Sequence, residues 1–192
     1  MDRTKSIVTV YLDERQRANV HEATCHKLAN LRERGDLAKH QFDPINGRAR
    51  NETELWNIWH LGISGECAGH HFIGAVFRPT RYQTFDWDEP DVGGLFDMKS
   101  ARPKTDKGQD SCLIVRDYEI ERHPTLVQVL AYVSDVAGQP NARVQLMGWR
   151  YNEELPMCAE RVHGSYRPQT RGMSRAYFVP HTALHGMDSF PY

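Results

Sequence analysis

No apolar run in this sequence approaches the ~18 consecutive residues of a bilayer-spanning helix, so no membrane span is expected. An excess of one charge is also missing, with 24 Lys and Arg against 25 Asp and Glu. A net charge of −1 is far from the strongly basic footprint of a typical nucleic-acid binder. Acidic metal ligands can, however, mask a local basic patch. Cysteine is sparse: Cys25, Cys67, Cys112 and Cys158 are scattered with no CxxC pair, which points to free thiols in a reducing cytoplasm. A GxSxG elbow is absent, which leaves a Ser-His-Asp hydrolase little support. Histidines are numerous, yet neither His70-His71 near Cys67 nor His21 with Cys25-His26 forms the two regular ligand pairs of a structural zinc site. No repeat or low-complexity tract occurs.

What remains is the composition of a globular protein, 40% hydrophobic and 26% charged. Its 192 residues suffice for one sizeable core and are too few for two ordinary domains, so residues 1–192 are read as a single domain. Residues 6–12 (SIVTVYL) are rich in β-branched side chains and read as a strand. The same run is broken by Thr and Tyr and stops at Asp13-Glu14 without a small-residue cleavage site, unlike a signal peptide. A helix follows over 13–34, started by Asp13 with Gln16 as a capping box and stopped by Gly35. Ala18, Cys25, Leu28 and Leu31 are expected on its buried face. After a loop at 35–50, Asn51 with Glu54 starts a second helix running to residue 72. Gly62, Gly65 and Gly69 interrupt it, each costing about 1 kcal/mol against alanine, which implies close approach of another backbone or a break. Residues 78–90 read as a loop, 91–101 as a short hairpin or bent strand around Gly93-Gly94, and 102–110 as another loop. Strands are expected at 112–116, 126–133 and 144–151, and one more extended piece at 176–179 in a loop-rich tail. Helices early and strands late give a mixed α/β or α+β domain.

The chemistry concentrates around Asp91, Asp97 and Lys99. Alternation in an extended chain puts Asp97 and Lys99 on one face, roughly 7 Å apart. Gly93 and Gly94 let the chain reverse, bringing Asp91 back toward Asp97. Two converging carboxylates repel each other unless a cation lies between them, and hard oxygen ligands suit Mg²⁺ or Mn²⁺. On the second helix, Glu66 shares the angular position of Leu55 and Trp59, so it should point inward. Glutamate is rarely buried unless paired or metal-bound. The stretch 99–107 (KSARPKTDK) carries four basic residues against one acid and follows directly, either as a solvated loop or as a phosphate contact.

Gly62-Ile-Ser-Gly-Glu66-Cys-Ala68 followed by Pro90-Asp91-Val-Gly-Gly and Asp97-Met-Lys99 resembles the PD-(D/E)XK nuclease superfamily, and looks most like its small phage and prophage members. His123-Pro124, an apolar strand, Gly148-Trp149 and Tyr177-Phe178-Val179-Pro180 continue that resemblance, which covers residues 50–185. It implies a restriction-endonuclease-like α/β domain with a central mixed sheet flanked by helices. Asp91 and Asp97 would then be metal ligands together with the Met98 carbonyl, and Glu66 a ligand directly or through water. Lys99 would orient or deprotonate the attacking water. The family position at Asp97 is more often glutamate, one methylene longer. The implied activity is Mg²⁺- or Mn²⁺-dependent hydrolysis of DNA phosphodiester bonds in the cytoplasm of a bacterial or phage-infected cell. Arg102, Lys104 and Lys107 would contact phosphates, and a homodimer stays open. The rival is a non-catalytic protein that keeps the nuclease fold to bind nucleic acid or protein. It would have no physical reason to retain all four of Glu66, Asp91, Asp97 and Lys99.

Overall fold

A computed structural model describes residues 5–37, 42–43, 48–84, 89–103, 112–158, 160–167 and 172–192. The chain opens with β1 (Val8–Tyr11) and α1 (Glu14–Glu33), where Asp13 and Gln16 form the expected capping box. Gly35, at φ +68°, follows the helix end. The buried stripe of α1 is Val20, Ala23, Thr24, Lys27, Leu28 and Leu31, while Cys25 and Ala18 are exposed. The helix is rolled from the expected orientation because Val20 and the long Lys27 stem cover more apolar surface than Ala18 and Cys25 would.

Residues expected to be a loop hold a two-residue pair, β2 (Phe42–Asp43) and β3 (Arg48–Ala49). Next comes α2 (Glu52–Phe72), entered through the Asn51/Glu54 capping box. Within the segment read as the loop 78–90, Pro79–Gln83 coils into a 3-10 helix with proline at its start. The later elements are β4 (Phe96–Ala101), β5 (Leu113–Arg116), α3 (Asp117–Arg122), β6 (Val127–Val136), β7 (Gln139–Tyr151), α4 (Leu155–Cys158), β8 (Glu160–Arg167) and β9 (Gly172–Val179). Two of these escape sequence patterning. The six residues of α3 are too few to show a helical period. The paired strands β8 and β9 occupy part of the expected loop-rich tail, β9 including the extended piece expected at 176–179, and they carry mixed polar residues without clean alternation.

The architecture is mixed α/β, with a four-stranded mixed sheet ordered β1-β7-β6-β4 and a three-stranded antiparallel sheet ordered β5-β9-β8. In the first sheet β4 runs parallel to β6, the chain crossing over through β5 and α3, and β6–β7 and β1–β7 are antiparallel. One core lies where α1 and α2 cover this sheet, with Val20, Ile63, Phe96, Met98, Val129 and Val144 among its members. The opposite face packs Leu130, Tyr132 and Met147 against Leu113, Val115 and Val179 of the second sheet. The expected mixed sheet with flanking helices is present, with the long helices on one face and a second sheet covering much of the other. This explains why β6 is buried almost throughout, since a strand covered on both faces reads as a continuous apolar run. No described helix is long and apolar enough to cross a membrane.

Candidate active site

Among the described residues β4 is an edge strand, and its edge away from β6, partly lined by the reversal that carries Asp91, organises the site. Gly93 (φ +59°) and Gly94 (φ +72°) adopt the left-handed backbone of a tight reversal, closed by Leu95 N–H to Val92 O at 2.9 Å and Val92 N–H to Phe96 O at 2.9 Å. Asp91 is thereby returned to the strand, as the two glycines imply. Its own N–H donates to Asp97 Oδ1 (3.2 Å), and its Oδ2 accepts from Met98 N–H (3.2 Å). A residue in an extended strand points its N–H and C=O to the same edge, so the Met98 carbonyl also opens toward Asp91.

Asp97 and Lys99 share a face, as expected. Lys99 Nζ lies 3.9 Å from Asp97 Oδ2 and 3.2 Å from Glu119 Oε2 on α3. Burial works to lower the Lys99 pKa, but Glu119, Asp97 and Asp91 together raise it, so the ammonium is charged at neutral pH. Gln128, fully buried on the adjacent position of β6, donates from Nε2 to Asp97 Oδ2 at 3.4 Å. Its Oε1 is buried and, among the described residues, finds no donor.

Glu66 is buried as the helical period requires, at 6% exposure, but from the other side. A Cβ on Gly65 would lie 2.0 Å from Ser100 Oγ and 3.0 Å from Met98 Cγ, so α2 presses on the Phe96-Met98-Ser100 face of β4. Asp97 and Lys99 alternate to the opposite face. Asp91 stands between, at the edge. The expected meeting of three carboxylates at one point is accordingly modified to a chain, Glu66–Asp91–Asp97. Burial first, and then Glu66, raise Asp91 to about 7. Burial first, and then Asp91, raise Asp97 to about 6.

On its own side Glu66 accepts a hydrogen bond from the Tyr82 hydroxyl, and its main-chain carbonyl lies 2.8 Å from His70 Nδ1. Lys27 completes this side. It is 4% exposed, with its ammonium 3.9 Å from the Trp59 ring centroid and 5.5 Å from that of Tyr82. Burial lowers its pKa, while Glu66 and Asp91 pull it back up. Arg81 donates to the carbonyls of Asp91 and Pro90, the latter at 2.8 Å, clamping the segment that carries Asp91.

Lys27, Tyr82, Arg81, Gln128 and Glu119 were not singled out from sequence. Lys27 carries a legible signal, because it falls on the 20–24–27–31 stripe of α1 where a charge is as costly as Glu66 is on α2. Gln128 likewise interrupts an apolar strand. Glu119 and Arg81 carry none, since their roles depend on the crossover and the 3-10 helix. Of the three basic residues expected to reach phosphate, Arg102 pairs with Asp135 at 2.8 Å and lies roughly 16 Å along the strand from Asp97 by strand rise. Lys104 and Lys107 lie outside the described residues.

Among the described residues no three His, Cys, Asp or Glu side chains are already grouped as the shell of a metal ion. The chemistry of the donor set nevertheless suits a hard divalent cation. It offers two carboxylates that resist ionisation side by side, a carbonyl at a free strand edge and the orphaned Gln128 amide oxygen. Comparison of the chain with protein-family models, with curated proteins and with solved structures finds no match.

Proposed function

We propose that this protein is a metal-dependent phosphodiesterase acting on DNA, with a PD-(D/E)XK-type site at the free edge of β4. The observation that carries this reading is the Asp91–Asp97 pair. Two carboxylates are joined through backbone N–H groups beside a charged lysine, and their pKa values are pushed to about 7 and about 6. Groups held this far from their ordinary range concentrate at functional sites, because a purely structural pair gains nothing from the repulsion. Asp91, Asp97 and the Met98 carbonyl would hold Mg²⁺ or Mn²⁺, with Glu66 acting through water from the helix side. When bound, such an ion acidifies water and offsets charge on phosphate oxygens.

Lys99 stays protonated between Asp97 and Glu119, so it acts as a fixed cation. It orients water by donating hydrogen bonds and opposes the charge that grows on the phosphate, rather than removing a proton. Gln128 holds Asp97 from the neighbouring strand and leaves its amide oxygen for the ion or a water bound to it. Lys27 and Tyr82 hold Glu66.

One observation favours the rival reading of a non-catalytic nucleic-acid- or protein-binding protein: Glu66 and Lys99 each have a protein partner, in Tyr82 and Glu119. Incubating the purified protein with plasmid and linear DNA, with Mg²⁺, Mn²⁺ or EDTA, separates the two. Cleavage with a divalent ion and none in EDTA is expected. Lys99→Ala should abolish cleavage and keep metal binding, whereas Asp97→Ala should lose both. A wild-type protein inert with every divalent ion supports the binding protein, and two mutants as active as wild type place the active site elsewhere.

A further inference from the structure

Beyond the carboxylates, the free edge of β4 borders a second feature. The chain leaves α2 through Gly74 (φ +69°) and runs back along residues 75–84 to place Tyr82 beside Glu66. The outer side of that segment bounds an open cavity of about 520 Å³, with Gly93 of the Asp91 hairpin, Arg81 and Tyr82 in its wall. Arg81 and Tyr82 are the same residues that hold Asp91 and Glu66, so cavity and carboxylates share a partition.

The lining has an unusual mixture. Phe77 is half-buried, its ring edge-on to His70 at 5.6 Å and 6.1 Å from Tyr82, which holds an aromatic surface rigidly at the cavity. Val76 is 74% exposed at the same place. Arg78, Thr80, Thr84 and Glu89 are exposed around them, with the Glu89 carboxylate 3.7 Å from the Arg81 guanidinium. A fixed ring, an open apolar side chain, a guanidinium and two hydroxyls are what a nucleotide needs: a stacking surface for the base, a cation for a phosphate and hydrogen-bonding groups for polar edges. The volume falls within the range of small-ligand sites, about 300–1,000 Å³.

We propose that this cavity is a subsite for one unpaired nucleotide of single-stranded DNA, seated beside the phosphodiester bond presented to Asp91 and Asp97. The inference rests on the phosphodiesterase reading and gives it a substrate form. A strand crossing the free edge of β4 would turn one base onto Phe77 and Val76, with Arg78 on the adjoining phosphate. A base can do this at no unpairing cost when the strand is single, whereas a duplex would first have to open.

Fluorescence anisotropy in EDTA tests the subsite without cleavage or metal. The probes are a labelled ten-nucleotide oligo-thymidine strand and a blunt duplex of the same length, at ~0.15 M salt so that long-range attraction is screened. The single strand should bind about tenfold more tightly, and Val76→Asp and Arg78→Ala should each weaken it about fivefold or more. Both positions are exposed, and unchanged melting temperatures would verify that the variants fold. Thymidine 5′-monophosphate should compete with the strand where inorganic phosphate does not. Equal or tighter binding of the duplex, or both variants binding like wild type, overturns the subsite. The two readings fail separately. Cleavage with a duplex preference removes the subsite alone, and pocket-dependent binding without cleavage under any divalent ion removes the hydrolase alone.

Discussion

Asp91 carries an electrostatic cost that its mutation would reveal. In the unfolded chain an aspartate titrates near ~3.9, and in the fold burial and Glu66 raise Asp91 to about 7. The fold therefore binds a proton that the unfolded chain releases. Asp91 contributes most to stability below its unfolded pKa, and that contribution is lost as pH rises through about 7. Asp91→Asn keeps an oxygen to accept from Met98 N–H and removes the charge. In EDTA at pH 8 the variant should be more stable than wild type by up to about 4 kcal/mol, a gain that shrinks toward zero near pH 4. Urea unfolding at the two pH values measures this. A variant less stable at pH 8 would mean that Asp91 is a structural ion-pair partner, contrary to the proposed role. A gain in stability with loss of activity is the usual mark of a functional carboxylate.

The α2–β4 contact is an element-scale device that brings Glu66 to the strand edge. Gly62 has nothing within 4 Å of an added Cβ, whereas on Gly65 that Cβ would meet Ser100 Oγ at 2.0 Å, Met98 Cγ at 3.0 Å and Ser100 Cβ at 3.3 Å. Helix propensity alone favours alanine at both positions by about 1 kcal/mol. Gly62→Ala should therefore stabilise the protein by up to that amount. Gly65→Ala should destabilise it by about 1–2 kcal/mol, because overpacking outweighs propensity. Adding Ser100→Ala to Gly65→Ala should recover part of the loss, since the nearest atom is then gone. Thermal melts of wild type, Gly65→Ala, Ser100→Ala and the double variant form the cycle, with Gly62→Ala measured beside them. Equal stabilisation by both glycine substitutions would mean that α2 does not press on β4 as described.

At the scale of the whole molecule, the site lies where three layers meet: helices on one face, the second sheet on the other and a free strand edge between them. An ion that binds only the folded chain stabilises all of it, by about 2.7 kcal/mol at a hundredfold excess over Kd. For a domain of this size that is roughly 5–10 °C in Tm. Mn²⁺ or Mg²⁺ should raise the wild-type Tm by that order at pH 8 and leave Asp97→Ala unmoved. The wild-type shift should fade as pH drops through about 7 and about 6, where Asp91 and Asp97 take up protons. Differential scanning calorimetry with and without ion is the measurement. An equal shift in Asp97→Ala would place the ion elsewhere.

Local patterning was enough for everything encoded in neighbouring residues. The capping boxes at Asp13 and Asn51, the inward direction of Glu66, the reversal at Gly93-Gly94 and the shared face of Asp97 and Lys99 all follow from dihedral preference and period. Tertiary packing decided which competing apolar stripe of α1 turned inward and, with it, that Lys27 joined the site. It also decided that Glu66 and Asp97 approach Asp91 from opposite faces, that Glu119 and Gln128 meet Asp97 and Lys99, and that Arg102 turns to Asp135. The physical reason is the same in each case. A period states which residues share a face, while the free energy of burial, summed over the whole chain, selects which face is covered and by what.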